Sequence, residues 1–229
     1  MSKPRIWYLP TPSNTKLVFT KELYERLTAR FDVTANETED PYTQAQIEAG
    51  IAAYDGVITG WGTAPISDEA IKRAKRLRIV AHSAGSVKYL FTETAVKEQL
   101  LPRKISVVSA NGAIALNVAE HTLGALIAIS RRWASLAQNI RDTKTWKDPS
   151  MPRSAQYLRG AKVGIVSAST VGREVIRLLG PFDVDIRIFD PYLSDWDAGH
   201  LGVTKTGLND LFRESDMVTV HAPSIPATR

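Results

Sequence analysis

Short runs of apolar residues alternate along this chain with longer stretches in which apolar side chains recur every three or four positions. The short runs read as buried strands, and the longer spacing as helices with one apolar face. Arg5 to Leu9, bounded by Pro10 and Pro12, predicts a first strand. Phe19, Leu23, Leu27 and Phe31 follow at helical spacing, which places them on one face. Further strands are predicted at Asp32 to Ala35, Gly56 to Thr59, Ile79 to Ala81 and Ile105 to Val108. Ile47, Ile51 and Tyr54 mark a helix between them. Ser67, Asp68 and Glu69 supply a cap and an acidic first turn for another, where the helix dipole favours negative charge.

A long helix is predicted from about Asn117 to Arg141, with Asn117 as N-cap and Glu120 completing a capping box. Ala125, Leu126, Ile129, Trp133 and Leu136 keep its period. Thr143 to Ser154 is polar, contains Pro149 and Pro152, and reads as a connector. A second alternating run follows. Its strands are expected at Val163 to Val166, Asp185 to Phe189 and Met217 to Val220, with a short one at Val203 and Thr204. Its helices are expected at Gly172 to Leu179 and Leu208 to Phe212. Strands alternating with helices imply an α/β fold of parallel strands joined by right-handed crossovers. The pattern divides into two units, residues 1–110 and 111–229, with a hinge near Ala110 to Asn117. The second unit offers three or four strands where a full dinucleotide-binding domain uses six.

Composition narrows the function classes. A chain of 229 residues with 44% hydrophobic and 23% charged residues suits a soluble globular protein with real cores. The net charge is +5, but the basic residues are interleaved with acidic ones, and the dense cluster Lys72 to Arg78 reads as the solvent face of a helix. No nucleic-acid-binding signature accompanies that charge, so no nucleic-acid partner is expected. The absence of cysteine removes disulfides, thiolate nucleophiles and cysteine metal sites, and fits a cytoplasmic location. The N-terminus lacks a signal-peptide apolar core, and the apolar stretch Leu123 to Ile129 is too short to span a bilayer, so no membrane partner is expected.

The run Val163 to Gly180 joins an apolar strand, a turn of small residues and a helix. A helix N-terminus after such a turn offers unpaired N–H groups and positive potential to a phosphate. The G-x-G-x-x-G pattern that grips a pyrophosphate falls here on Ser167, Ser169 and Gly172. If either serine needs positive φ, the side chain costs about 1–2 kcal/mol there, which its hydroxyl would partly offset by donating to a phosphate oxygen. Asp190 ends the next strand, where an acid accepts from ribose hydroxyls, and no Arg follows in Pro191 to Asp197 to pair a 2′-phosphate. That combination favours NAD over NADP. A βαβ unit with no ligand, in which Asp190 only forms a turn before Pro191, explains the same local pattern.

Four ordered segments extend the reading. Ala110 to Arg132 contains V-A-E-H-T, Leu158 to Gly172 reads LRGAKVGIVSASTVG, Phe189 to Tyr192 reads FDPY, and Leu211 to Arg229 reads LFRESDMVTVHAPSIPATR. In sequence, order and spacing they resemble the D-isomer-specific 2-hydroxyacid dehydrogenases. The resemblance implies a flavodoxin-like substrate domain, then a Rossmann domain for NAD, with the reaction between them. It implies cofactor contacts at Thr170, Val171, Gly172, Asp190, Ala222, Pro223 and Thr228, and at Thr122 in the interdomain helix. It implies a substrate carboxylate held by backbone at Ala84, Gly85 and Ser86, in a loop that otherwise reads as a plain strand-to-helix turn. A 2-hydroxy or 2-oxo acid is the implied substrate, and a homodimer through the cofactor domain the implied assembly. Ile114 departs from the family, which often has Asn there.

The family's catalytic Arg, in an N-x-x-R-G-G segment, and its Glu and His would all lie beyond Arg229. No catalytic residue is therefore expected within this chain, and no turnover from it, or turnover reduced by several orders of magnitude. His221 falls at the family's H-x-P position, His121 on the interdomain helix, His82 at a strand end and His200 in a polar loop. No pair of them has metal-ligand spacing on one helix, so no metal is expected. A second reading is a non-catalytic NAD-binding or interaction protein derived from the family. A third, a flavodoxin-like domain with an appended βαβ arm, explains the elements but not the motifs.

Overall fold

The computed structural model describes residues 2–146, 156–223 and 228. The chain separates into two compact units, Met1–Ile114 and Ala115–Arg229. The first holds a parallel sheet of five strands, β1 (Arg5–Tyr8), β2 (Asp32–Ala35), β3 (Gly56–Thr59), β4 (Ile79–His82) and β5 (Ser106–Ser109). They lie in the order β2-β1-β3-β4-β5, the flavodoxin-like order. The intervening helices are α1 (Pro12–Val18), α2 (Lys21–Arg30), α3 (Gln44–Gly50), α4 (Asp68–Arg73) and α5 (Glu93–Ala95), the last continued by a π-helical turn at Val96–Leu100. Trp7, Ile47, Ile51, Val57, Ile71 and Val80 build one core layer, and Ile6, Tyr8 and Ile58 the other. β3 is buried along its whole length, as a central parallel strand covered on both faces must be.

The second unit begins within α6 (Asn111–Ser130) and continues with α7 (Trp133–Thr143). Its strands are β6 (Lys162–Val166), β7 (Asp185–Phe189), β8 (Thr204–Lys205) and β9 (Met217–Val220), and its other helices α8 (Thr170–Leu179), α9 (Asp195–His200) and α10 (Leu208–Glu214). All pairings are parallel, in the order β8-β7-β6-β9. That is the arrangement of the first four strands of a doubly wound dinucleotide fold, whose strand order reverses beside its first strand, here β6. Val163, Ile165, Val175, Ile176, Leu179 and Ile188 form the centre of this core.

Several expectations shift. The helix expected from Phe19 to Phe31 is α2, which starts at Lys21 because Thr20 caps it by accepting from the Leu23 amide; α1, at Pro12–Val18, precedes it and was not expected. Phe19, Leu27 and Phe31 pack toward the sheet as expected, but Leu23 is exposed and Tyr24 packs with them in its place. The expected N-cap at Asn117 is interior to α6 and exposed. Gly112 to Leu116 contains no residue that stops a helix, so the first turn closes earlier, with the Ile114 amide on Ala110 O at 3.1 Å. The expected single helix to Arg141 is broken at Arg132, which adopts φ +55°. α4 ends at Arg73, so Lys75, Arg76 and Arg78 are solvent-exposed without being helical. His200 ends the helix α9 rather than lying in a loop. The expected connector residues Pro149 and Pro152 lie outside the described residues. At 20 residues, α6 is long and apolar enough to cross a membrane by length and composition. One stripe of it, Ala115, Ala119, Thr122 and Leu126, is buried, with Ala119 and Leu126 in the core of the second unit.

Candidate functional site

Strand register creates the site. Val166 of β6 lies opposite Phe189 of β7 on one side and Val220 of β9 on the other. The next residue of each strand therefore emerges in one row at the carboxyl edge: Ser167, Asp190 and His221. The backbone ladder extends one step into that row, with the Ser167 amide on Phe189 O at 2.8 Å and the His221 amide on Val166 O at 2.9 Å. In an open parallel sheet, ligands bind at this edge, where the strand order reverses.

The turn from β6 into α8 is tightly defined. Ser169 is the N-cap of α8 and its hydroxyl accepts from the Gly172 amide at 3.3 Å. The same hydroxyl donates to His221 O at 3.0 Å, tying the turn to the end of β9. The Thr170 and Val171 amides find no acceptor among the described residues, as expected of a first helical turn. Gly172 allows α8 to pass close over the turn: a Cβ there would stand 2.1 Å from Ser167 O. Arg173 adds a positive charge, its Nε donating to Ala168 O at 3.0 Å.

Ser167 adopts φ +85°, the left-handed region that favours glycine. Its hydroxyl points to Asp190 rather than to a phosphate position, 3.2 Å from Oδ2. The Ala168 amide donates to the same oxygen at 2.8 Å, and the Tyr192 amide to Oδ1 at 2.8 Å. Burial alone would raise the pKa of Asp190. The amides of Tyr192 and Ala168, the Ser167 hydroxyl and the Leu193 amide outweigh it, holding the carboxylate below its ordinary range. Asp190 is thus ionised, buried and held by donors from its own turn and from the turn between β6 and α8. The alternative in which Asp190 forms a turn before Pro191 anticipates the Tyr192 donor, but not those of Ser167 and Ala168 across the strands.

The fit to a dinucleotide is carried by three observations: free amides at the start of α8, the glycine-only approach at Gly172, and an ionised acid at the end of the neighbouring strand. Ala222 and Pro223 follow directly after the row, and the Thr228 hydroxyl donates to Pro223 O. Thr122 is buried in α6, its hydroxyl donating to Val118 O at 2.8 Å. His221 is half-buried, its Nε2 3.0 Å from the Thr219 hydroxyl, and burial lowers its pKa.

In the first unit, the loop after β4 carries Ala84, Gly85 and Ser86. Ala84 is fully buried and its carbonyl accepts from the Ala110 amide at 3.0 Å. The Gly85 and Ser86 amides have no acceptor among the described residues, leaving two donors at the carboxyl edge of that sheet. Below them a buried pair joins β3 to β4, His82 Nδ1 and the Thr59 hydroxyl at 2.8 Å, with the Tyr89 ring edge-on to the imidazole. No group of three His, Cys, Asp or Glu able to hold a metal occurs among the described residues.

Comparison with known proteins agrees with this geometry. Residues 123–229 match the family model described as D-isomer specific 2-hydroxyacid dehydrogenase, NAD binding domain. The chain is similar to D-3-phosphoglycerate dehydrogenase of Mycobacterium bovis, 29% identical over 163 residues, covering 71% of this chain and 29% of that protein. It is similar to D-3-phosphoglycerate dehydrogenase of Methanocaldococcus jannaschii, 26% identical over 220 residues, covering 93% of this chain and 40% of that one. Among solved structures, a phosphoglycerate oxidoreductase from Rhizobium etli superposes with a TM-score of 0.75 at 25% identity, over 95% of this chain and 66% of that chain. The chain thus spans well under half the length of these curated relatives. With its parallel strands, its turn at Ser167 to Gly172 and the acid at Asp190, the chain from residue 123 onward is similar to the NAD-binding domain of the D-isomer-specific 2-hydroxyacid dehydrogenases.

Proposed function

We propose that this chain serves hydride transfer between NAD(H) and a small 2-hydroxy or 2-oxo acid, and that residues 1–229 alone supply recognition rather than turnover. When bound, NAD(H) carries the hydride. The protein's part in this reading is to place the pyrophosphate on the Thr170 and Val171 amides at the start of α8, beside Arg173 and against Gly172. Asp190 accepts from the adenosine ribose, while Ala222, Pro223 and Thr228 line the adenine end and Thr122 contributes from α6. The Gly85 and Ser86 amides, steadied by buried Ala84, hold the substrate carboxylate. The observation that carries the reading is the single row of Ser167, Asp190 and His221, which sets an ionised acid beside a free helix N-terminus.

No Arg in an N-x-x-R-G-G setting occurs in these residues to polarise a carbonyl, so binding without turnover is the expected behaviour of this polypeptide. Titration of the chain with NADH, followed by nicotinamide fluorescence, tests the reading. Saturable binding that is lost in Asp190→Ala supports it; no binding below millimolar NADH removes it. Reduction of glyoxylate or hydroxypyruvate by 1–229 at ordinary enzymatic rates would overturn the recognition-only part. The alternative, a non-catalytic NAD-binding or interaction protein of the same descent, is favoured by the serines that stand at the first two glycine places of the phosphate turn. A cytoplasmic setting belongs to the proposal and is supported by the absence of cysteine.

The proposed assembly is a homodimer. α7 presents Trp133, Leu136 and Ile140 on one face, all exposed in the single chain. A helix that leaves such a stripe uncovered is suited to burying it against a second copy.

A further inference from the structure

Asp190 has little capacity left for a ligand. A carboxylate offers about four lone-pair positions, two on each oxygen. On Oδ2 both are filled, by the Ala168 amide at 2.8 Å and the Ser167 hydroxyl at 3.2 Å. On Oδ1 the Tyr192 amide fills one, and the Leu193 amide also stabilises the charge. A ribose that presents both hydroxyls to this carboxylate needs a position on each oxygen. The Ala168 amide is fixed by the turn from β6 into α8 and the Tyr192 amide by the turn after β7, so neither can withdraw without unwinding its turn. The Ser167 hydroxyl alone can leave, by rotation about its Cα–Cβ bond.

Ser167 holds this position at a conformational disadvantage, since φ +85° is a glycine conformation. Glycine at the first place of the phosphate turn would leave Oδ2 with one open position. The side chain at 167 therefore does something that the fold itself does not require. We propose that Ser167 is a specificity-determining residue of the adenosine-ribose subsite, its hydroxyl competing with the ribose diol for Asp190 Oδ2. This rests on the NAD reading above. It predicts that the chain discriminates poorly between ribose and deoxyribose nucleotides, and that it binds NAD less tightly than the backbone of the turn permits.

The test uses the full chain, with Ser167→Ala and Ser167→Gly beside the unaltered protein. Calorimetric titration with ADP and with 2′,3′-dideoxy-ADP reads the ribose contribution directly. Releasing one hydrogen bond to a charged acceptor should tighten ADP roughly tenfold in both variants, with the dideoxy probe unchanged. Serine and alanine share the backbone penalty, so Ser167→Ala isolates the hydroxyl, and its thermal midpoint reports whether the turn is intact. Ser167→Gly, free of that penalty, guards against a folding defect. ADP binding that stays equal or weakens in Ser167→Ala overturns the proposal, as does equal tightening of both nucleotides. If the unaltered chain binds ADP and the variants gain nothing, only the role of Ser167 falls. If none of the three binds ADP or NADH, the cofactor reading fails and this proposal with it.

Discussion

Replacing Gly172 by alanine sets two effects of opposite sign against each other. Glycine inside a helix costs about 1 kcal/mol relative to alanine, so propensity alone predicts stabilisation. The added Cβ, however, would stand 2.1 Å from Ser167 O and 3.2 Å from the carbonyl carbon. A carbon normally approaches a carbonyl oxygen to about 3.3 Å. Relief thus requires a movement of about 1 Å. The Ser167 carbonyl cannot give easily, because the residue is pinned on both sides by its amide on Phe189 O and its hydroxyl on Asp190. α8 must shift instead, against buried Val175, Ile176 and Leu179. Overpacking of this kind costs about 1–3 kcal/mol, and here it involves backbone on one side, which puts it at or beyond the upper end. The net expectation is a loss of about 2 kcal/mol, which lowers the melting temperature of the second unit by roughly 10 °C. Because the chain holds two compact units, calorimetry rather than a single-probe melt is the appropriate assay. The same displacement moves the Thr170 and Val171 amides, so NADH affinity should fall in parallel. A Gly172→Ala chain as stable as the original, or more so, would refute the close-approach argument.

Burial depresses the pKa of His82, so the neutral ring is the form the fold favours. The stability from that preference is complete above the unfolded value near 6.5 and declines as pH falls below it toward the folded value. Urea titrations of the first unit at pH 7.5 and 5.5 should show the lower midpoint at pH 5.5, and the difference should vanish in His82→Gln. Thr59→Val leaves His82 Nδ1 without its partner in a buried setting and should cost about 1–3 kcal/mol at neutral pH; an unchanged midpoint would show that the pair is not coupled. Leu136→Glu combined with Ile140→Glu should convert a dimer to a monomer in sedimentation velocity without altering the melting profile, and a chain already monomeric before substitution would remove the α7 interface.

The sequence by itself determined the α/β alternation, because buried parallel strands must be short apolar runs and their crossovers must carry one apolar face. Strands such as Val57 to Thr59 and Val163 to Val166 were legible for that reason, as were the Ser67 cap and the position of Asp190 at a strand end. Phase and termini were less legible. Leu23 and Asn117 fit their expected roles locally, yet Leu23 is exposed while Tyr24 takes the packed place beside it, and Asn117 lies within an uninterrupted helical run. What only the tertiary structure decided was the use of the polar groups at the turn. Parallel pairing of β6 with β7 and β9 aligned Ser167, Asp190 and His221, residues far apart in the chain. Once aligned, the Ser167 and Ser169 hydroxyls met a carboxylate and a carbonyl of their own fold before any phosphate. A hydroxyl's partner depends on a few ångströms across strands, and one-dimensional spacing contains no such distance.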